Sequence, residues 1–325
     1  MKVCILGVGR SGTTPLYSLL QHMMLNRYQN VDFIYEPFLW GEPTWNKIYE
    51  KIGEAFDVMT SLSIDGIFTH QNLPLFITSP YRYKKNPYLR MLFHVKDKNK
   101  HVLLKIIRGC GRFSLFQAIC PGCKFIFILR NPFDVINSAI IRFSFLGADF
   151  HKDDFPRFAG QVNEIYDLAL QPDHMQNQVE KEVLYWYYMN RYTLERFHGL
   201  KQNRPLVICY EAFIENKKYY VEQIGRFIGI DYSENYTGLL QEKIGPDTNN
   251  INLKLDEFEI IKPYLNKYLQ LLYQYRIPNS INPGQILEKY KDKLIKKREV
   301  DQYFKKTPLR LKNDMMMLLK KKRTL

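Results

Sequence analysis

The sequence predicts an α/β fold of three layers, a parallel sheet with helices on both faces. Two observations carry this expectation. Five short apolar runs recur along the chain, each nearly continuous rather than alternating, which is how strands buried on both faces read. Helical patterns fill the intervals between them, as the crossovers of a parallel sheet require.

The first strand is expected over Val3 to Leu6, followed by a glycine-rich turn and a helix over Thr14 to Leu25. The second strand is expected over Val31 to Tyr35 and the third over Val102 to Ile107. The fourth, Phe125 to Leu129, leads into a helix from Pro132 to Phe145. Proline at a first-turn position leaves no bond unmade, because that N–H has no intrahelical partner anyway. The fifth strand, Leu206 to Tyr210, precedes a helix over Lys217 to Ile228.

Two regions break the alternation. Residues 38–100 are rich in aromatics, Pro and Lys without a clean period, and residues 145–200 begin as a polar loop before a long helix containing Leu184-Tyr185-Trp186-Tyr187-Tyr188. Insertions between core strands commonly carry the substrate-specific surface, so both are expected to bind an acceptor. The expected organisation is one main domain over residues 1–255 and a helical, basic C-terminal extension over 256–325.

With 325 residues and 46% hydrophobic content, the chain can bury a full core. No apolar run approaches the roughly 18 residues of a membrane-spanning helix, and Arg10 follows Val3-Cys4-Ile5-Leu6 too soon for a secretory leader. A soluble, cytoplasmic protein is expected. The five cysteines have no framework spacing, so disulfides are not. Cys120-Pro-Gly-Cys123 offers two ligands with no second pair, which does not make a tetrahedral metal site; a Pro-Gly turn is the simpler reading.

The net charge is +14, but residues 285–325 hold 14 Lys or Arg against 5 Asp or Glu. The body is therefore only mildly basic, which suits an enzyme whose ligand carries several negative charges.

The turn after the first strand has the context of a phosphate cradle: strand, glycines, then a helix start whose free N–H groups face an anion. Gly7 to Gly12 has the GxxxxG spacing of a P-loop-type phosphate-binding loop, yet Thr13 stands where a nucleoside triphosphatase carries lysine. That lysine reaches the β- and γ-phosphates, so its absence argues against ATP or GTP hydrolysis. The cation is Arg10, inside the loop, which suits a single 5′-phosphate bearing one further charged group.

Arg10-Ser11-Gly12-Thr13-Thr14 resembles the 5′-phosphosulfate loop of the sulfotransferases that use 3′-phosphoadenosine-5′-phosphosulfate (PAPS). Phe125-Ile126-Phe127-Ile128-Leu129-Arg130-Asn131-Pro132-Phe133-Asp134-Val135-Ile136-Asn137-Ser138 is similar to the same family's 3′-phosphate motif, an Arg at the strand end and a Ser eight residues on. Leu206 to Glu211 with Phe227-Ile228-Gly229-Ile230 looks like its fifth strand and closing helix. The resemblance spans roughly residues 2–230 and implies a sulfotransferase fold, with PAPS as cofactor and no metal. It implies that Arg10, Ser11, Gly12, Thr13 and Thr14 bind the 5′ end, and Arg130 with Ser138 the 3′-phosphate.

Sulfuryl transfer needs a base near the acceptor hydroxyl. Glu36 ends the second strand in Phe33-Ile34-Tyr35-Glu36-Pro37-Phe38, on the sheet edge that carries Arg10. Tyr-Glu-Pro there resembles the carbohydrate branch of the family, in which this Glu is the proposed base. The resemblance implies a saccharide, glycolipid or capsule-precursor acceptor. Leu103-Leu104-Lys105-Ile106-Ile107-Arg108 resembles a Lys-x-x-Arg of the same branch. Lys105, a charge inside an apolar strand, either points to the ligand with a catalytic part or pairs with a core carboxylate. His151 is the one histidine placed for acceptor contact, and a solvated loop position explains it more simply.

Two rival readings stand beside this one, a P-loop nucleotide or metabolite kinase and a non-catalytic basic protein that binds membrane or nucleic acid. The missing loop lysine opposes the first; the second rests on the tail alone, and no nucleic-acid partner is expected. In that tail Lys296-Lys297-Arg298, Lys305-Lys306 and Lys320-Lys321-Lys322-Arg323 alternate with apolar and aromatic pairs and runs. Such interleaving fits a helix lying on an anionic membrane surface, or a solvated basic helix packed on the core; Pro308 divides the stretch.

Overall fold

The computed structural model describes residues 1–35, 74–85, 87–146, 155–175, 177–231, 251, 253–279 and 281–306. Five strands form one parallel sheet in the order β2-β3-β1-β4-β5. They are β1 Lys2–Leu6, β2 Val31–Tyr35, β3 His101–Ile106, β4 Lys124–Leu129 and β5 Leu206–Cys209. The central strand β1 is entirely apolar from Val3 to Leu6 and fully buried there, which explains the absence of alternation in its sequence. Ile5 pairs with Lys105 on one side and Ile126 on the other. Chain order reverses about β1, with β2 and β3 to one side and β4 and β5 to the other. Open parallel sheets bind ligands in the crevice at the carboxyl ends of the strands where such a reversal occurs.

The described helices are α1 Thr13–Arg27, α2 Pro87–Leu92, α3 Phe113–Ile119, α4 Pro132–Leu146, α5 Phe155–Tyr166, α6 Gln178–His198, α7 Tyr210–Glu215, α8 Lys217–Ile228, α9 Leu255–Gln274 and α10 Pro283–Lys306. Together with the sheet they make an α/β fold. None of them is long and apolar enough to cross a membrane. One boundary differs in kind from the sequence expectation: Tyr210 is not the last strand residue but opens α7, after Cys209 at φ −78° and ψ 120°. The ring is thereby turned toward the loop after β1. Helix α5 was not expected, although Phe155, Phe158, Ala159 and Val162 repeat at helical spacing and are all buried.

Helices α6, α9 and α10 all contribute side chains to the core of the sheet domain. Trp186 and Tyr192 of α6, Tyr268 of α9 and Tyr290 of α10 are among the largest fully buried side chains, in the same cluster as the β1 residues. Tyr192 donates to the Ile77 carbonyl at 2.8 Å, so α6 also ties down the segment before α2.

All five cysteines are buried thiols. Cys120 and Cys123 form the turn before β4, closed by the Cys123 N–H on the Cys120 carbonyl at 3.0 Å, at the end of the strand remote from Arg130. The hydrogen bond from Cys123 pulls the Cys120 thiol down to about 7 against its burial, whereas burial pushes Cys123 up. Among the described residues, no cluster of His, Cys, Asp or Glu could hold a metal.

Candidate functional site

The loop Gly7–Thr14 joins β1 to α1 and is folded by a turn in which the Ser11 N–H donates to the Val8 carbonyl at 3.1 Å. Arg10 and Gly12 both take left-handed backbone, at φ +71° and +93°. At Gly12 glycine is required twice over, because a Cβ would also sit 2.3 Å from the Tyr210 ring. Helix α1 has no side-chain cap at its start, so its first N–H groups face the crevice.

Three cations predicted from sequence lie around this loop. The Arg10 Nε donates to Ser138 Oγ at 2.7 Å, which joins the two sequence motifs across 128 residues. Arg130, at the end of β4, donates from Nη1 to the Arg10 carbonyl at 3.2 Å, and its guanidinium lies over the Tyr210 ring at 4.5 Å. Lys105 is 1% exposed; its Nζ donates to Thr14 Oγ1 at 2.9 Å and sits 3.9 Å from the centre of the Tyr35 ring. The ammonium thus turns to the loop that opens α1. The ring face and hydroxyl offset the cost of burying it.

Two polar groups of this cluster are buried with no hydrogen-bond partner, Ser11 Oγ and Arg130 Nε. An unsatisfied buried donor costs roughly 1–3 kcal/mol, so two in one crevice beside uncapped N–H groups fit an anionic ligand that would meet them. The donor set is wholly cationic or neutral, as phosphate and sulfate oxygens require.

Arg130 is held from behind. Asp134 Oδ2 lies 3.4 Å from Arg130 Nη2 and accepts from Asn131 Nδ2 at 3.0 Å, while the Asp134 N–H donates to Asn131 Oδ1 at 3.0 Å. Burial pushes the Asp134 carboxyl up, but Arg130, Lys289 and the hydrogen bonds from Tyr290 and Asn131 outweigh it and hold it below the usual carboxylate range. Glu211 Oε1 accepts from the Asn131 N–H at 2.8 Å and from its side chain at 2.7 Å. Sequence reasoning missed this support, although Asn131 and Asp134 have the spacing of a helix cap and could have been read as one.

Arg108, one turn past β3, faces the buried Glu182 of α6, whose carboxyl is pushed up to about 8 by burial with Arg108 opposing. Glu36 and His151 lie outside the described residues.

The site is thus a glycine-containing loop at the chain reversal of a parallel α/β sheet, with Arg10 inside the loop and Arg130 at the end of the neighbouring strand β4. The chain belongs to the sulfotransferase family, whose model matches residues 2–234. Among solved structures it is similar to a sulfotransferase from Mycobacterium avium, with 13% identity, 83% of this chain and 76% of that one covered and a TM-score of 0.44. A sulfotransferase from Alicyclobacillus acidocaldarius shows 17% identity, 86% and 97% coverage and a TM-score of 0.42. A mouse sulfotransferase complexed with PAP, the desulfated nucleotide, shows 14% identity, 89% and 88% coverage and a TM-score of 0.38. No curated protein matches the sequence.

Proposed function

We propose that this sulfotransferase transfers a sulfuryl group from PAPS to a hydroxyl of a carbohydrate or glycolipid acceptor, close to an anionic membrane surface. The observation that carries the cofactor is the junction of Arg10, Ser138 and Arg130 beside the unpartnered Ser11 Oγ and Arg130 Nε. Arg10, Ser11, Gly12, Thr13 and Thr14 would hold the 5′ end, and Arg130 with Ser138 the 3′-phosphate. PAPS, when bound, supplies a sulfuryl group already activated on a phosphate leaving group. Arg10 and the N–H groups opening α1 stabilise negative charge at the phosphate, and the Lys105 ammonium, fixed on Thr14, adds to that field. Glu36 accepts the proton of the acceptor hydroxyl as its oxygen attacks. The carbohydrate acceptor is supported by the Tyr35-Glu36-Pro37 pattern.

The test is thermal shift followed by transfer. PAP, and not ATP, should raise the melting temperature of the protein, because a ligand bound only by the folded state stabilises it by mass action. Arg10→Ala should abolish most of that shift. Radiolabelled sulfate from PAPS should enter a member of a glycan and glycolipid panel, and Glu36→Gln should lower turnover by about 10² to 10⁴ while PAP affinity is kept. A shift with ATP alone would return the kinase reading; near-normal turnover of Glu36→Gln would move the base elsewhere.

A further inference from the structure

The residues matched by the family end at 234, yet three side chains beyond that point reach the two carboxylates that hold the turn presenting Arg130. Tyr290 of α10, 1% exposed, donates its hydroxyl to Asp134 Oδ1 at 2.5 Å, and Lys289 Nζ lies 3.5 Å from the same oxygen. The Tyr290 ring stacks on Phe133, with centroids 4.9 Å apart and planes at 29°. Tyr268 of α9, fully buried, donates to Glu211 Oε2 at 3.0 Å, and the other oxygen of that carboxylate holds both nitrogens of Asn131. Two tyrosines from the C-terminal helices thus close on two carboxylates, both of which accept from the Asn131 side chain.

Packing alone does not ask for this chemistry. Phenylalanine would fill the same volume at both positions without a hydroxyl to satisfy, and a buried carboxylate facing an arginine is seldom better for stability than apolar residues of equal size. What the arrangement does fix is direction. With Asp134 on Nη2 and the Arg10 carbonyl on Nη1, the plane of the guanidinium over Tyr210 is set and Nε is the nitrogen left without a protein acceptor.

We propose that α9 and α10 form a clamp that aims Arg130 at the nucleotide 3′-phosphate, with Tyr290 and Asp134 as positioning residues and Tyr268 and Glu211 as the second arm. The inference rests on the PAPS reading above. It makes the C-terminal helices part of the cofactor site, although none of their residues belongs to the family's phosphate motifs.

The test uses the full chain and PAP as the probe, by calorimetry. Tyr290→Phe keeps the ring on Phe133 and removes only the hydroxyl; the PAP Kd should rise about tenfold, the size of a lost hydrogen bond to a charged group. The KM for PAPS should rise in step while kcat stays within about twofold, since what is lost is ground-state and transition-state binding alike. In an Arg130→Ala background the same substitution should change nothing further, because its effect passes through Arg130. Tyr268→Phe should behave in the same way and stands in should Tyr290→Phe fail to fold. Unchanged PAP affinity in both phenylalanine variants, or an equal loss with and without Arg130, overturns the clamp and leaves the PAPS reading intact. Absence of PAP binding by the wild-type protein refutes the PAPS reading, and the clamp falls with it.

Discussion

Glu182 shows at the residue scale how burial changes what a carboxyl group does. Its pKa is pushed up to about 8 by burial, with Arg108 opposing, so the folded protein favours the neutral form. Between its ordinary value near 4.5 and about 8, the folded chain holds a proton that the unfolded chain releases. Stability therefore falls as pH rises through that window, because the native state binds more protons than the unfolded state. Glu182→Gln keeps the neutral shape and removes the dependence. Its melting temperature should match the wild type near pH 5 and exceed it by a margin that widens toward pH 8. A gap independent of pH would mean that Arg108 keeps Glu182 charged in the fold. Lys105 is the complementary case, a charge buried in a strand and made tolerable by Thr14 and the Tyr35 ring. Its sequence position showed that a partner was needed, but not that a hydroxyl and an aromatic ring would supply it.

At the scale of elements, the unit β1, loop and α1 depends on a contact from a distant strand end. Gly12 presses against Tyr210, and Tyr210 is the surface on which Arg130 lies. Gly12→Ala combines left-handed strain of about 1–2 kcal/mol with a clash against that ring. The variant should lower the melting temperature and weaken PAP binding more than tenfold by displacing the Arg130 platform, at 1.4 kcal/mol for each decade. Gly122→Ala, where a Cβ meets nothing within 4 Å, should behave as the wild type. Equal PAP affinity in the two variants would show that the Tyr210 contact is not part of the site. The strands and the two motifs that meet at Arg10 and Ser138 were legible because each is a local pattern: continuous apolar runs, glycines at a fixed offset, a cation at a strand end. Tyr210 was read as a strand residue, because nothing local distinguishes a fifth strand position from the first position of a helix. The pairing of Asp134 with Tyr290 spans 156 residues and leaves no periodicity to read.

The whole molecule divides its charge unevenly, and the position of α10 decides how that bears on a surface. Tyr290 and Leu294 of this helix are buried, whereas Lys291, Ile295, Lys296 and Arg298 are exposed. The two readings of the tail are therefore compatible in this helix, which packs on the core by one side and keeps an exposed basic set with an apolar residue in its midst. Removing residues 285–325 would take Tyr290 and Leu294 from the core and confuse folding with surface binding. The informative changes are Lys291→Glu, Lys296→Glu and Arg298→Glu together, and separately a chain ending at Lys306. Full-length protein is expected to co-sediment with liposomes containing phosphatidylserine, and the bound fraction should fall steeply with salt, since exposed charges are screened within about 8 Å at physiological ionic strength. Each change should lower the bound fraction, and the two combined should abolish binding while the PAP-induced thermal shift is kept. Binding unaffected by the combined change, or none by the full-length chain, would reduce the basic tail to a solubility feature and leave the acceptor to be sought among soluble saccharides.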